Sequence, residues 1–264
     1  MNSIIYPDTL CNQTGLSRTT VIHSSILDLT DPEKEQSYIT EMNIKITPSP
    51  KITNQESTGR CWIFAALNML RRDFCRTYKI ADFEFSQNYL FFYDKLERYN
   101  YYLDAVYQTR SLKIDSQLVM HLMTDKGDGG QWQMVVNLIK KYGLVPKTAF
   151  NDSFHSRRSA ELNKILQRLF RRYALVVRSV KSDDDYQHER LKFNQDCYNI
   201  LCMFLGRPPS KFDWVYTNKE DKYIEHIGLT PLQFFNEFVK VDLDKFACVI
   251  HDPRSNHPYE KMYT

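Results

Sequence analysis

Gln55 and Cys61 lie six residues apart in the stretch NQESTGRCWIFAALNML, Asn54 to Leu70, where a polar loop turns into an apolar helical run. A cysteine at a helix N-terminus meets unpaired backbone N–H groups and the positive end of the macrodipole, and both favour the thiolate. Such a thiolate can attack a carbonyl carbon. The Gln55 amide is a donor suited to a developing oxyanion, together with the backbone N–H of the cysteine. Gly59 allows the close backbone approach that a substrate carbonyl requires, and Trp62 can wall off the helix start. Taken alone, Cys61 reads as a small core residue, since free cysteine is among the most buried types. The residues around it point to chemistry instead.

A second cluster stands further along. Of eight glycines, Gly127, Gly129 and Gly130 fall within KGDGGQ. The Gly129–Gly130 backbone can pair with an extended peptide through its N–H and C=O groups. The plain structural reading is a turn before a helix, with Asp128 as a turn residue. The base is harder to find. His23 precedes the helical region, His121 sits inside it, and His155 falls in a polar loop. His188 and His226 lie in charged stretches, and His251 and His257 flank DPRSN. Each reads as a surface or structural residue.

The elements that must position these residues are mostly helices. Ile63, Leu67, Leu70 and Phe74 recur at i, i+4, i+7 and i+11, and no charge occurs from Cys61 to Leu70, so this helix is expected to be buried on most sides. FSQNYLFFYDKLERYNYYL predicts a helix with Ser86 as N-cap. Trp132, Val135, Ile139 and Tyr142 share a face of the next, which Gly143 ends and Pro146 keeps from continuing. The same period runs over 160–178 and 188–205. FDWVYT alternates as a short strand, and in LTPLQFFNEFV Thr230 caps a helix with Pro231 at its first position. FACVI is expected to be a buried strand. Residues 1–48 read as an extended N-terminal arm with short β-like pieces around Ile44 and Ile46.

Composition excludes little. The 264 residues carry a net charge of +3, and 42% are hydrophobic, which is ordinary for a globular chain and too weakly basic to imply nucleic acid or membrane. Aromatics at 14% predict large rings in the core or a peptide cleft. No secretory signal or membrane span is read from the sequence. Cys11, Cys61, Cys75, Cys197, Cys202 and Cys248 form no CxxC pair, and reduced thiols and a cytoplasmic location are expected. Arg157, Arg158, Arg168, Arg171, Arg172, Arg178 and Lys181 form a basic face, read first as a solvated helix surface and second as a nucleic-acid surface.

A glutamine, five residues, then Cys-Trp-x-Phe-Ala at a helix start resembles the active-site segment of papain-like cysteine peptidases. ITNQESTGRCWIFAALNMLR, FEFSQNYLFFYDKLER, DGGQWQMVVNLIKKYGLVPK, LTPLQFFNEFV and HDPRSNHPYEKMYT are together similar to the bleomycin hydrolase branch, cytosolic cysteine aminopeptidases, from about position 49 to the last residue. The resemblance implies an α+β papain-like fold, mainly the helical lobe with inserted helices over 49–245, and the start of a second lobe over 246–264. It implies Cys61 as nucleophile, Gln55 in the oxyanion hole, and Gly129, Gly130 and Trp62 at the substrate. It implies peptide or aminoacyl-amide substrates and no cofactor or metal. Hexameric rings with a basic channel, some binding DNA, are also implied. The family's histidine and its orienting asparagine, usually in Asn-Ser-Trp, lie downstream of the DPR…YT region. No Asn-Ser-Trp occurs here, so the expectation is the thiol half of a site without its imidazole half. The alternative is a non-catalytic scaffold or nucleic-acid-binding relative of the same fold.

Overall fold

Side-chain caps decide where several helices begin. The Ser86 hydroxyl accepts from the Tyr89 N–H at 3.1 Å, and Ser182 does the same for Asp185 at 3.1 Å, each satisfying one of the donors that a helix start leaves unpaired. Thr230 and Gln233 form a reciprocal capping box ahead of Pro231. The computed structural model describes residues 15–25, 41–44, 50–249, 251–252 and 254–261. The chain divides into two units, Met1–Ile46 and Thr47–Thr264.

In the first unit the described residues hold one helix, α1 (Gly15–His23), where an extended arm was expected. GLSRTTVIH carries no apolar stripe, so periodicity could not reveal it. Ile44 lies in an exposed bend, and Ile46 lies outside the described residues.

The second unit runs α2 (Cys61–Thr77), α3 (Gln87–Gln108), α4 (Gln117–Leu122), α5 (Trp132–Tyr142), α6 (Phe154–Arg157), α7 (Ala160–Ser179) and α8 (Asp183–Leu205). Strands β1 (Phe212–Thr217) and β2 (Tyr223–Leu229) follow, then α9 (Pro231–Gln233), which widens into a π-helical turn over Phe234–Val239. On α2, Ile63, Leu67, Leu70 and Phe74 are all buried, each contributing about 1.5–3 kcal/mol relative to exposure. One stripe of α2 remains in solvent: Cys61, Ala65 and Met69, four residues apart. Helix α3 packs against α7, α8 and α5, and α5 also meets α2.

Rings fill the seam between helices and hairpin. Phe74 has Phe83, Phe85, Trp214 and Phe234 within 4.5–5.7 Å between centroids, an arrangement worth more than area alone. This core cluster takes up much of the high aromatic content. The hairpin is antiparallel, with Trp214 opposite His226 and Tyr216 opposite Ile224, and a bulge between Phe212 and Trp214. At the bulge the Asp213 carboxylate accepts from the Gly228 N–H at 2.8 Å. β2 was not foreseen: YIEHIGL places a histidine where an apolar residue would signal a strand, and the His226 ring stacks on Trp214.

Gly143 ends α5 with φ of +76°, and a Cβ there would lie 2.3 Å from the Pro231 carbonyl. No other residue type fits both conditions. FACVI corrects the expectation of a buried strand. Residues 246–249 are irregular and exposed, with Val249 at 98%. Among the described residues the strands β1 and β2 pair only with each other, so this segment has no ladder to join and its apolar residues stay in solvent.

A candidate thiol site

Cys61 is the first residue of α2 and is exposed. Arg60, at the N-cap, provides no side-chain cap, and its carbonyl accepts the Ile63 and Phe64 N–H groups at 3.0 and 3.1 Å, so the thiol sits at the positive end of the helix dipole. The Arg60 side chain is turned inward and fully buried. It pairs with Asp152 at 3.0 Å and lies over the rings of Phe64 and Phe91. That anchor fixes where the helix begins. The Cys61 Sγ lies 4.0 Å from the Gly59 carbonyl oxygen.

The preceding loop is tied to itself and to a distant segment. The Gln55 Nε2 donates to the Thr58 carbonyl at 2.8 Å, and the Thr58 hydroxyl returns a bond to the Gln55 carbonyl at 2.8 Å. Gln55 thus has one amide hydrogen engaged and a second left over. The Ser57 N–H donates to the Arg157 carbonyl at 3.0 Å, and Glu56 sits in the left-handed region with φ of 53°.

Asp128 corrects the sequence reading most sharply. Expected as a turn residue, it is a buried junction. Its Oδ2 accepts from the Gly59 N–H at 3.2 Å and from the Ser159 hydroxyl. Its Oδ1 meets Lys95 Nζ at 2.6 Å and Asn163 Nδ2 at 2.8 Å. Its backbone carbonyl accepts the Trp62 indole N–H at 2.8 Å. Burial pushes the Asp128 carboxyl up, but the Lys95 ammonium and the Ser159 and Asn163 donors outweigh it and hold the group at about 2. Gly59 serves this junction: a Cβ on it would lie 3.1 Å from the Asp128 Cβ.

The two glycines of the pair do different things. Gly130 lies against Trp62, where a Cβ would come within 2.5 Å of the indole ring. Gly129 is exposed, meets nothing within 4 Å on its Cβ side, and has its carbonyl held by Arg98 Nη2 at 2.8 Å. Arg98 is itself clamped on Asp94 at 2.8 and 3.1 Å. Lys95 Nζ also donates to the Gly127 carbonyl at 2.5 Å. The structure therefore joins Cys61, Trp62, Gly129 and Gly130 through Gly59 and Asp128, while Gln55 stays within the loop before the helix.

Sequence reasoning missed Asp128, Lys95, Arg98, Ser159 and Asn163. Lys95 carried a readable signal: it falls four residues after Phe91 and four before Tyr99, on the buried stripe of α3. A cation there requires a buried partner. Nothing in spacing identifies which carboxylate.

The histidines have other contacts. His155, in α6 rather than a polar loop, packs 4.5 Å from the Phe204 ring and faces Glu161. His226 stacks on Trp214, His251 lies 3.2 Å from the Tyr259 hydroxyl, and His257 faces Asp252 at 3.4 Å. None of these contacts involves Cys61. On the basic face, Arg171 donates to the Met123 carbonyl, Arg178 to the Thr109 and Leu112 carbonyls, and Arg172 faces Asp196. These bonds fit a helix surface tied to its own neighbours. Among the described residues, no helix is long and apolar enough to cross a membrane.

The Peptidase C1-like family model matches residues 11–264. Aminopeptidase C of Lactococcus lactis subsp. cremoris is 40% identical over 225 residues, 85% of this chain and 51% of that protein. Bleomycin hydrolase of Gallus gallus is 40% identical over 222 residues, 81% of this chain and 49% of that protein. The crystal structure of PepW from Lactobacillus rhamnosis HN001 superposes with a TM-score of 0.90 at 33% identity, covering 98% of this chain and 61% of that one. The chain spans about half the length of the curated relatives it matches.

Proposed function

The chain belongs to the Peptidase C1-like family and has its papain-like, mainly helical fold, and from that premise we propose that it carries the nucleophile of a cysteine aminopeptidase. The observation that carries the reading is an exposed thiol at an uncapped helix start, joined through Gly59, Trp62 and Asp128 to the Gly129–Gly130 loop. In this reading the Cys61 thiolate attacks the carbonyl carbon of an N-terminal residue held in amide linkage. The carbonyl oxygen takes the negative charge and is met by the Cys61 N–H and the second Gln55 amide hydrogen. The Gly129–Gly130 backbone pairs with the extended substrate, and Trp62 forms the wall beneath it. Collapse of the intermediate breaks the C–N bond, and the amine departs only if a proton reaches its nitrogen. Imidazole is the customary donor. The proposal assigns that donor, and any assembly of copies, to none of the described residues. Peptides and aminoacyl amides are the substrate class. Residues 49–245 are the working lobe, and a cytoplasmic location goes with the same reading.

The test separates thiol chemistry from proton delivery. An aminoacyl p-nitrophenyl ester has a leaving group that departs as the phenolate without a proton. The protein should give one equivalent of phenolate per chain and an acyl thioester on Cys61 visible by mass spectrometry, both lost in Cys61→Ala. The matching amide should turn over negligibly, since general-acid help is worth about 10²–10⁴ in rate. Acylation elsewhere, or a burst that survives Cys61→Ala, overturns the reading.

A further inference from the structure

We infer that Asp128 is a positioning residue that fixes the distance between the Cys61 helix start and the Gly129–Gly130 loop, and so tunes the thiol toward peptide electrophiles. The inference rests on the aminopeptidase reading above. Three observations meet at this residue. Its carboxylate accepts the Gly59 N–H, two residues before Cys61. Its carbonyl accepts the indole N–H of Trp62, the residue after Cys61. Its own chain continues directly into Gly129, whose backbone nitrogen lies 3.5 Å from where a Gly59 Cβ would stand. The nucleophile is thus bracketed on both sides by bonds to one residue that also begins the substrate-facing loop.

Asp128 is in turn immobilised. Lys95, Ser159 and Asn163 hold its carboxylate from α3 and from the start of α7, and Arg98 holds the next carbonyl. The carboxylate is 6% exposed and its ammonium partner is fully buried, so the junction is dry and resists displacement. Such rigidity matters for a reaction between a thiolate and a bound carbonyl, because an error of about 1 Å in placement can cost about 10²-fold in rate. A purely structural ion pair would need no bond to Gly59 on one side of Cys61 and to Trp62 on the other.

The experiment compares two electrophiles at Cys61, read by peptide mapping. Iodoacetamide reports thiol reactivity without backbone recognition, and an aminoacyl chloromethyl ketone with a free α-amino group adds an N-terminal residue for the glycine loop to hold. The quantity is the ratio of their second-order rates. Asp128→Ala should lower the ratio about tenfold or more. Asp128→Asn keeps an oxygen for Gly59 but turns an NH2 toward the Lys95 and Asn163 donors, and should lower the ratio by less than Asp128→Ala does. Leu67→Ala, destabilising from the buried side of the same helix, should leave it unchanged and controls for stability loss. If Asp128→Ala does not fold, Gly59→Ala keeps every charge and wedges a methyl 3.1 Å from the Asp128 Cβ; it should also lower the ratio several-fold. An unchanged ratio in Asp128→Ala or Gly59→Ala, or equal losses in Asp128→Ala and Leu67→Ala, overturns the inference. A wild-type protein with no preference for the aminoacyl reagent over iodoacetamide overturns the substrate-loop reading itself, and the inference with it.

Discussion

Replacing Gly130 by alanine places a methyl group 2.5 Å from Trp62 Cε2 and 2.7 Å from Cδ2 and Cζ2. Carbon atoms rest in contact at about 3.5–4.0 Å, so the ring must retreat by about 1 Å. It has no cheap direction in which to move. Trp62 is 9% exposed, and its indole N–H donates to the Asp128 carbonyl at 2.8 Å. A retreat of about 1 Å takes that bond beyond useful length and leaves a buried carbonyl without its donor, at about 1–3 kcal/mol. Overpacking adds about 1–3 kcal/mol, so Gly130→Ala should lose about 2–5 kcal/mol of stability. Gly129→Ala is the internal control. Its methyl group meets nothing within 4 Å, and its φ is not left-handed. That change should stay within about 1 kcal/mol, with a stabilising sign if anything, because alanine restricts the unfolded chain. Urea unfolding followed by tryptophan fluorescence measures both. Equal midpoints for the two variants, or a neutral Gly130→Ala, would refute the packing argument for this pair.

Other substitutions probe the rest of the scaffold. The Asp128 carboxyl, held at about 2 against an ordinary 3.8, contributes stability that is fully present above pH 4 or so and is lost as pH falls through that interval, about 2 kcal/mol in all. The stability gap between wild type and Asp128→Asn in urea should close over this range, since Asp152 and Glu97, whose shifts owe nothing to Asp128, titrate in both proteins; a gap that does not change with pH contradicts the assignment. Gly143→Ala must accept both a φ of +76° and a methyl 2.3 Å from the Pro231 backbone, and should lose more than about 3 kcal/mol in the same assay; a loss below about 1 kcal/mol would mean that α5 and α9 are not in such close contact. Native-state alkylation should modify Cys61 and leave Cys197, which is fully buried and whose thiol burial pushes up to about 12; modification of Cys197 ahead of Cys61 would contradict the burial pattern.

How much of this could be read in advance depended on whether the controlling interaction was local. The α2 stripe, the Ser86 and Thr230 caps and the Gly143 stop each involve residues close in sequence, and each appears where expected. Cys61 at the helix start followed from the same local logic. The π-helical turn over Phe234–Val239 is indistinguishable from ordinary helix in LTPLQFFNEFV, because a single wider turn is too short to establish its own period. FACVI failed for the opposite reason: a run of strand-forming residues forms a strand only with a partner ladder. Asp128 was beyond local reading altogether. A DG step is a fair turn signal, and its burial is decided by a lysine on α3 and two polar residues at the start of α7. The seven arginines and lysines of the basic face show the same limit, since their spacing gives no hint that Arg171 and Arg178 donate to main-chain carbonyls.

The junction at Asp128 also sets a schedule for the growing chain. Its bonds reach Gly59 across 69 positions, Trp62 across 66, Ser159 across 31 and Asn163 across 35. A ribosome adding about 5–20 residues per second needs about 5–20 s to travel from Gly59 to Asn163. Until that interval ends, the segment bearing Cys61 has been made while the full set of side chains that holds Gly59 and Trp62 in place has not. Helix α2 can coil early from its own residues, but the geometry around its first turn waits for the start of α7. The nucleophile segment is therefore among the first parts of this unit to be synthesised, yet it acquires its final surroundings only after about a hundred further residues have followed it.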